Sequence, residues 1–480
     1  MANLIYDLYN KSKYFVYFSL FINAVTLNKI NYTFTGKINR TLIKYLYNTI
    51  NLNGCMLIKL VQWINTNVEL LDISDDDNFM GSLFSSFYEN CNIHDLNYTR
   101  QLFIDEYCDG DEEEFDKQLQ LDIYAGVKSG SIAQVYKGTY QNQTVALKVV
   151  HPEIEYQLKN PMMFLYFYKY MVSNISFLNK YDTPFIFDNF FDNLIKQADM
   201  RNEYSNMVYF YNEYSDNPYV LIPKPIASSK NILIMEYVEG QSINDITTSI
   251  IEKQKIVALL NLFIKDNFYF KDYYHSDLHE SNWKVKKYND FYQLIVYDYG
   301  YISKNNIQET FKLITYYNDT LNVKGICESV YEHCLNIKFN QEELAIRFDK
   351  YLNDLNIKIN EPFCDEIIIR MYNFLVKNNI SVTPSMFELF VSVILIKKYI
   401  IMYLMLEKVG HSNSNTANNI IRSYLATINL CEKHDIFPKL KNYYIENYIE
   451  NPIFRNTYAF KNNYFDELSG DDDDDDGMDI

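Results

Sequence analysis

The alternation of apolar and polar positions divides the chain into helix-patterned stretches around a strand-rich middle. Residues 1–117 read as mostly helical and end in an acidic loop, Asp105–Asp116. Beyond it, Ser131–Tyr140 (SIAQVYKGTY) and Thr144–Val150 (TVALKVV) flank a short polar Gln-Asn-Gln turn, the pattern of a β-hairpin. Ile232–Tyr237 is a further strand, closed by Glu239-Gly240. Ile256, Leu259, Leu260 and Phe263 then recur at i, i+3, i+4 and i+7, which predicts an amphipathic helix. It runs toward His275, where a loop (HSDLHESN) begins. Strand-like runs Trp283–Lys287 and Gln293–Tyr297 follow, then Asp298-Tyr299-Gly300, and from about 305 to 450 the pattern is helical again. This order predicts an α+β fold: helices, a small sheet, then a large helical lobe with a short β insert, and a cleft between two lobes.

Composition changes that picture little. The chain has 480 residues, 48 % of them hydrophobic, enough for a sizeable core in one large or two to three ordinary domains. The abundance of Tyr and Phe, with Asn, Ile and Lys, is that of an AT-rich genome, such as an intracellular parasite, a protist or a large DNA virus. The net charge of -18 is local: residues 466–480 supply nine acids and residues 105–116 eight, with no bases in either. The remaining body is close to neutral and lacks the basic field that phosphate-backbone binding needs, so nucleic acid is not an expected partner.

Seven scattered cysteines with no C-x-x-C pair argue against a disulfide framework or a zinc site and fit an intracellular, reducing compartment. Two apolar stretches bear on membranes. Tyr14–Asn28 is uncharged but shorter than the roughly 20 residues a span needs, and Phe387–Leu406 is interrupted by Glu388, Lys397 and Lys398. Both read first as buried helices, with membrane association as the alternative. The run Asp471–Asp476 reads as a solvated, disordered tail.

The chemistry lies in a few polar residues set among apolar ones. Phosphoryl transfer asks a protein to hold the triphosphate, offset its charge and orient the nucleophile. Lys148 ends Val-Ala-Leu-Lys, and on an alternating strand it shares a face with Ala146, a small residue that can lie against an adenine. Asp277 and Asn282 stand five apart in HSDLHESN, the kinase catalytic-loop spacing, in which the Asp faces the nucleophile and the Asn ligates magnesium. Asp298 closes a strand ahead of Tyr299-Gly300, where the metal-holding Asp of D-F-G is found.

Each of these residues has a plainer reading: an exposed strand lysine, an inert polar turn, a metal-binding pair His275/His279, a mere Asp-Tyr-Gly turn. The ordered set is what argues for a nucleotide site. Glu203, one of two acids of the helical segment Asn193–Phe210, is the candidate partner of Lys148. Met235–Val238, with Glu236 and Val238, resembles the hinge whose backbone meets an adenine edge.

These residues also resemble a known family. Ser131-Ile-Ala-Gln-Val-Tyr, Val-Ala-Leu-Lys148, His151-Pro152, Asp199-Met-Arg-Asn-Glu203, Met235-Glu-Tyr-Val-Glu-Gly240, His275-Ser-Asp277 and Asp298-Tyr-Gly look like the UbiB-type (aarF-domain) atypical kinases, which are associated with ubiquinone biosynthesis. Lys59-Leu-Val-Gln62 resembles that family's K-x-G-Q signature, and the likeness spans roughly residues 45–410.

The resemblance implies a protein-kinase-like fold with a helical extension (1–117) carrying Lys59 and Gln62 over the nucleotide cleft. An N-lobe (118–240), a helical C-lobe (241–450) and an acidic tail (451–480) complete the expected division. It further implies that Gln197-Ala-Asp199 corresponds to the E-x-D motif that meets the extension. Lys128-Ser-Gly-Ser131 would replace the alanine-rich nucleotide loop, with Val135 beside it.

Four departures stand out: Val61 in place of the signature glycine, Gln197 in place of a glutamate, a catalytic loop without the family's prolines and glycine, and Gly130 in the nucleotide loop. Ser276 stands where regulated protein kinases carry arginine, and no A-P-E follows Gly300, so a peptide-docking platform is not expected. The expectation is an ATP- and Mg²⁺-dependent kinase or ATPase with a lipid-like or small-molecule target. Lys148 would hold the α/β-phosphates, Glu203 orient Lys148, Asn282 and Asp298 hold magnesium, and Asp277 orient the nucleophile. The alternatives are a nucleotide-binding pseudokinase scaffold and a divergent Ser/Thr protein kinase.

Overall fold

The computed structural model describes residues 2–66, 91–159, 192–287 save 248, 292–304, 323–355 and 365–383 save 379, with isolated positions between 79 and 88 and between 385 and 390. The chain divides into two compact units. The first comprises Met1–Gly240 together with Asp277–Lys284 and Ile295–Tyr301; the second comprises Gln241–Ser276, Val285–Leu294 and Ile302–Ile480.

The first unit opens with helices α1 (Ala2–Thr35), α2 (Arg40–Asn53) and α3 (Cys55–Thr66), followed by α4 (Leu96–Tyr107) and α5 (Glu112–Gln118). Then come strands β1 (Leu119–Leu121), β2 (Lys128–Ser129), β3 (Ala133–Tyr140) and β4 (Gln143–Val150), helices α6 (Pro152–Lys159) and α7 (Met200–Glu213), and strands β5 (Val220–Leu221), β6 (Pro225–Ser228) and β7 (Ile232–Glu236). The antiparallel sheet runs β1-β3-β4-β7-β6, with β2 paired to β3. Its central hairpin is tighter than the sequence suggested. Gln143 belongs to β4, and the turn is two residues, Gln141 and Asn142, both with positive φ (48° and 66°). Such a turn matches the right-handed strand twist.

Alternation along β4 gives the sheet two uses. Val145, Leu147 and Val149 point into one core with Tyr136, Tyr140, Ile232 and Ile234, covered by Phe103 and Ile104 of α4 and Phe115 of α5. Burying each large aliphatic or aromatic side chain there stabilises the unit by about 1.5–3 kcal/mol. A second core gathers Ile132, Ala133, Val150 and Leu233 against Cys55 and Met56 of α3 and Met200 of α7. Gln157 of α6, wholly buried, ties the first three helices to this body. Its amide donates to the Tyr14 hydroxyl (3.0 Å) and the Asn53 carbonyl (3.1 Å) and accepts from the Met56 N–H (3.0 Å).

Several expectations need correction. The acidic stretch 105–116 is not a loop: Asp105 and Glu106 end α4, and Asp111 caps α5 through the Glu113 and Glu114 N–H groups. Three glutamates in that first turn and Lys117 in the last complement the helix dipole, so the acids favour helix here. The helical segment Asn193–Phe210 is broken: residues 192–197 form one helix, and Asp199 caps α7 by accepting from the Arg201 N–H. Tyr14–Asn28 lies in α1 but is buried on one side only. Tyr14, Phe21, Ala24 and Val25 are covered, while Phe15, Val16, Leu20 and Leu27 are exposed. Phe387–Leu406 and the acidic tail fall, apart from Phe390, outside the described residues.

The second unit holds α8 (Ile243–Ile246), α9 (Ile250–Phe270), β8 (Tyr273–His275), β11 (Ile302–Lys304), α10 (Val323–Tyr331), α11 (Gln341–Asp354) and α12 (Asp365–Lys377). The chain passes between the units along β9 (Trp283–Lys287) and β10 (Tyr292–Val296). His275 does not open a loop: it is buried in β8, opposite Ile302 of β11. Ile256, Leu259, Leu260 and Phe263 of α9 are buried, as their spacing predicted. Among the described residues no helix is long and apolar enough to cross a membrane. Cys55, Cys91, Cys108, Cys327 and Cys334 are free thiols.

Candidate nucleotide site

The functional side chains converge within the first unit. Ala146 and Lys148 lie on the β4 face opposite the first core, and register places Lys148 between Val135 of β3 and Leu233 of β7. From there the ammonium meets both oxygens of Glu203 (2.7 and 2.9 Å) on α7 and Oδ2 of Asp298 (2.9 Å). Residues 148, 203 and 298 are thus brought to one point by a strand, a helix and the end of β10.

Two carboxylates share one ammonium here, and hydration decides between them. The Glu203 side chain is 1 % exposed, whereas Asp298 keeps 37 % of its side chain open. Burial, with the neighbouring Asp298 charge, pushes Glu203 up to about 7 against the pull of Lys148. Burial would raise Asp298 too, but the Lys148 ammonium and the Gly300 N–H hold it well below the usual carboxylate range. Lys148 is itself raised, because the two carboxylates outweigh the cost of burying its charge. Gly300 supplies the N–H that fixes Asp298 Oδ1 at 2.9 Å.

A second ion pair lies in the same cavity. Lys59 of α3 contacts Asp277 Oδ2 at 3.3 Å, the two side chains being 15 % and 17 % exposed. The Asn282 amide nitrogen donates to the Asp277 backbone carbonyl (2.7 Å), which turns its oxygen end the other way. Gln62, one helical turn from Lys59, accepts from the Ser131 hydroxyl (2.8 Å) and donates to the Phe87 carbonyl (2.7 Å). Gln197 lines the cavity, while Asp199 is engaged locally with Arg201.

The cavity is about 400 Å³, within the range of small-molecule sites. The nucleotide-loop residues Lys128, Ser129, Gly130 and Ser131 line it, as do Val135, Ala146, Glu236 and Val238. Glu236 turns its carboxylate to the Lys224 N–H (3.2 Å), so only its backbone is left for the hinge role. The residues proposed for nucleotide, metal and catalysis all lie on this cavity and belong to the first unit, whereas Asp199 and His275 do not line it.

Sequence reasoning missed Tyr297, whose hydroxyl donates to the Val238 carbonyl at 2.9 Å and ties the hinge to the strand that ends at Asp298. It also missed why residue 240 is glycine. A Cβ there would meet Lys284 Cβ and the Tyr297 hydroxyl at 2.8 Å. An aromatic residue just before Asp298 was the available signal.

An antiparallel sheet with a strand lysine paired to a helix glutamate, and an Asp-x-x-x-x-Asn loop ahead of an Asp-Tyr-Gly, defines a protein-kinase-like fold. Residues 114–325 match the ABC1 atypical kinase-like domain. Proteins similar to this chain over that region include ones named UbiB and AarF domain-containing protein kinase, so the likeness is to the UbiB-type, aarF-domain atypical kinases. Lys59 and Gln62 precede the matched residues.

Among curated relatives, the chain is 26 % identical over 259 residues to the probable serine/threonine-protein kinase abkC of Dictyostelium discoideum, covering 51 % of this chain and 35 % of that protein. It is 24 % identical over 182 residues to the probable protein kinase UbiB of Haemophilus ducreyi, covering 35 % and 32 %. The matches thus span about a third of those relatives' length. Solved structures with similar chains include a Mycobacterium tuberculosis Rv3197–erythromycin complex (TM-score 0.34, 17 % identity, 52 % of this chain and 71 % of that one). Another is the Rio2 kinase–ADP/Mg²⁺-phosphoaspartate complex of Chaetomium thermophilum (TM-score 0.27, 11 % identity, 80 % and 96 %).

Proposed function

We propose that this protein binds ATP with Mg²⁺ and catalyses phosphoryl transfer or ATP hydrolysis, acting on a lipid-like or small-molecule target. One observation carries the reading: Lys148 is held by Glu203 and Asp298 at once, at 2.7 and 2.9 Å, in a cavity of nucleotide size. Asn282 and Asp298 offer hard oxygen donors, the chemistry magnesium takes, and its role when bound would be to offset triphosphate charge. In this reading Lys148 contacts phosphate oxygens, Glu203 keeps it extended, and Asp277 accepts the proton of the nucleophile. The hinge backbone around Val238 receives the base, and Ala146 packs against it.

The target class rests on the absence of A-P-E after Gly300 and of arginine at Ser276, together with the UbiB name of the relatives. The test is phosphate release by the full chain with ATP, with and without Mg²⁺, alongside a thermal shift. A Mg²⁺-dependent rate lost in Asp298→Asn supports the reading; equal rates in both proteins would sink it.

A second reading draws on the Lys59–Asp277 contact, which engages the very carboxylate that must orient the nucleophile. A nucleotide-binding scaffold without turnover would keep such a contact. It predicts an ATP-induced thermal shift with phosphate release at background.

A further inference from the structure

Behind the nucleotide loop lies a buried polar network that the proposed chemistry does not use. His151 follows β4 and is 3 % exposed; its Nε2 is 3.1 Å from the Gly130 carbonyl and 3.3 Å from the Ser129 hydroxyl. Its Nδ1 is 2.8 Å from Nδ1 of His94, in the segment just before α4. His94 Nε2 is 2.9 Å from the Thr99 hydroxyl, which is 2.9 Å from the Tyr136 hydroxyl. Gln134 closes the network by bonding the His94 backbone at both N–H (2.8 Å) and carbonyl (3.2 Å) and the Tyr136 hydroxyl.

One proton position follows from its acceptor. A carbonyl only accepts, so His151 Nε2 carries a hydrogen. Its Nδ1 shares a hydrogen with Nδ1 of His94, so each ring holds the other in place. Burial, and after it the facing His151, hold His94 down at about 3.

The anchored carbonyl is half of the Gly130–Ser131 peptide. In a trans peptide the C=O and the following N–H point to opposite edges of one plane. With the carbonyl fixed on His151, the Ser131 N–H lies on the far edge, in a loop whose Gly130 and Ser131 line the cavity. Backbone N–H groups of such loops are what phosphates bind. Gly130, lacking a Cβ, is the residue around which this peptide could otherwise turn.

We propose that His151, braced by His94, is a positioning residue that holds the Gly130–Ser131 peptide with its N–H available to nucleotide phosphate. The inference rests on the nucleotide-site reading and adds a residue to it.

Two polar variants separate reach from packing. Gln at 151 places an amide where Nε2 stands and keeps the donor to Gly130; Asn places it where Nδ1 stands and loses the loop. The full chain is titrated with a fluorescent ATP analogue in the presence of Mg²⁺, and apo melting temperatures are recorded. The expected result is that His151→Gln binds within about twofold of the unsubstituted chain, while His151→Asn binds about five- to tenfold more weakly, the loss of one hydrogen bond.

Equal binding by both variants, or equal weakening of both, overturns the proposal. So does loss of a cooperative melting transition in either variant, which would make the residue a fold determinant. Absence of analogue binding by the unsubstituted chain would instead sink the nucleotide reading itself, and the inference with it.

Discussion

Lys148 and Lys59 reach the same cavity but are held in different ways. Lys148 stands between two carboxylates at 2.7 and 2.9 Å, one of them almost wholly buried. Lys59 has a longer contact, 3.3 Å, to Asp277, with both side chains partly open. A buried charge that loses its partners leaves an uncompensated charge behind, whereas a partly solvated pair exchanges its contact for water at little cost. The difference assigns them unlike jobs: Lys148 is a fixture of the site, and Lys59 is a contact that can be given up.

The largest break should come at Lys148. Lys148→Met leaves Glu203 and Asp298 facing each other, and we expect phosphate release to fall by at least about a hundredfold, as when one preorganised donor is lost. Stability should drop by roughly 3 kcal/mol, the cost of breaking a buried pair, lessened if Glu203 takes up a proton. Denaturant melts and a phosphate-release assay read both. Asp298→Asn should abolish Mg²⁺-dependent turnover yet lower the melting temperature less than Lys148→Met does, because Lys148 keeps Glu203 and the lost charge sits on a side chain already 37 % open. A large fall in melting temperature would show that Asp298 is structural.

Lys59→Ala is the smaller perturbation and sharpens the contrast. Freeing Asp277 from a pair worth at most about 1 kcal/mol should raise turnover by about two- to fivefold. A collapse in turnover would show instead that Lys59 works in the reaction.

The smallest effect is in pH. Glu203, at about 7 in the folded chain against an ordinary 4.5, binds more protons folded than unfolded between those values. Its contribution to stability therefore declines as pH rises from 4.5 to 7. Asp298 has the opposite sign: its contribution is present above its ordinary 3.8 and is lost as pH falls below it. His94, depressed to about 3 from 6.5, likewise costs stability as pH drops below 6.5. The Glu203 and His94 contributions oppose each other between pH 4.5 and 6.5, so the test is a difference: removing the Glu203 decline, Glu203→Gln should gain melting temperature toward pH 7 relative to the unsubstituted chain. Identical profiles for the two proteins would contradict the assignment.

How far the sequence revealed the site depended on the range of each interaction. Lys148 and Asp298 were visible because strand alternation and loop spacing are local, and chain order linked them. The acidic stretch misled because net charge was weighed ahead of position: Asp111 followed by three glutamates is a capped helix start, and Lys117 a matching end. Asp199 held the same signal, a short acid ahead of a helix. By contrast, Gln62 meets Ser131 across 69 residues and His94 meets His151 across 57. Neither pairing leaves a periodic trace, and a lone histidine beside Pro152 gives no sign of the carbonyl it holds.

The first unit borrows two stretches from far along the chain, Asp277–Lys284 and Ile295–Tyr301. On the ribosome, Lys148 and Glu203 can meet as soon as residue 203 has emerged, whereas Asp298 is still some 95 residues from being made, about 5–20 seconds at ordinary synthesis speed. Throughout that interval the nascent lysine has one carboxylate only, and a fragment ending at Gly240 would stay in that condition permanently.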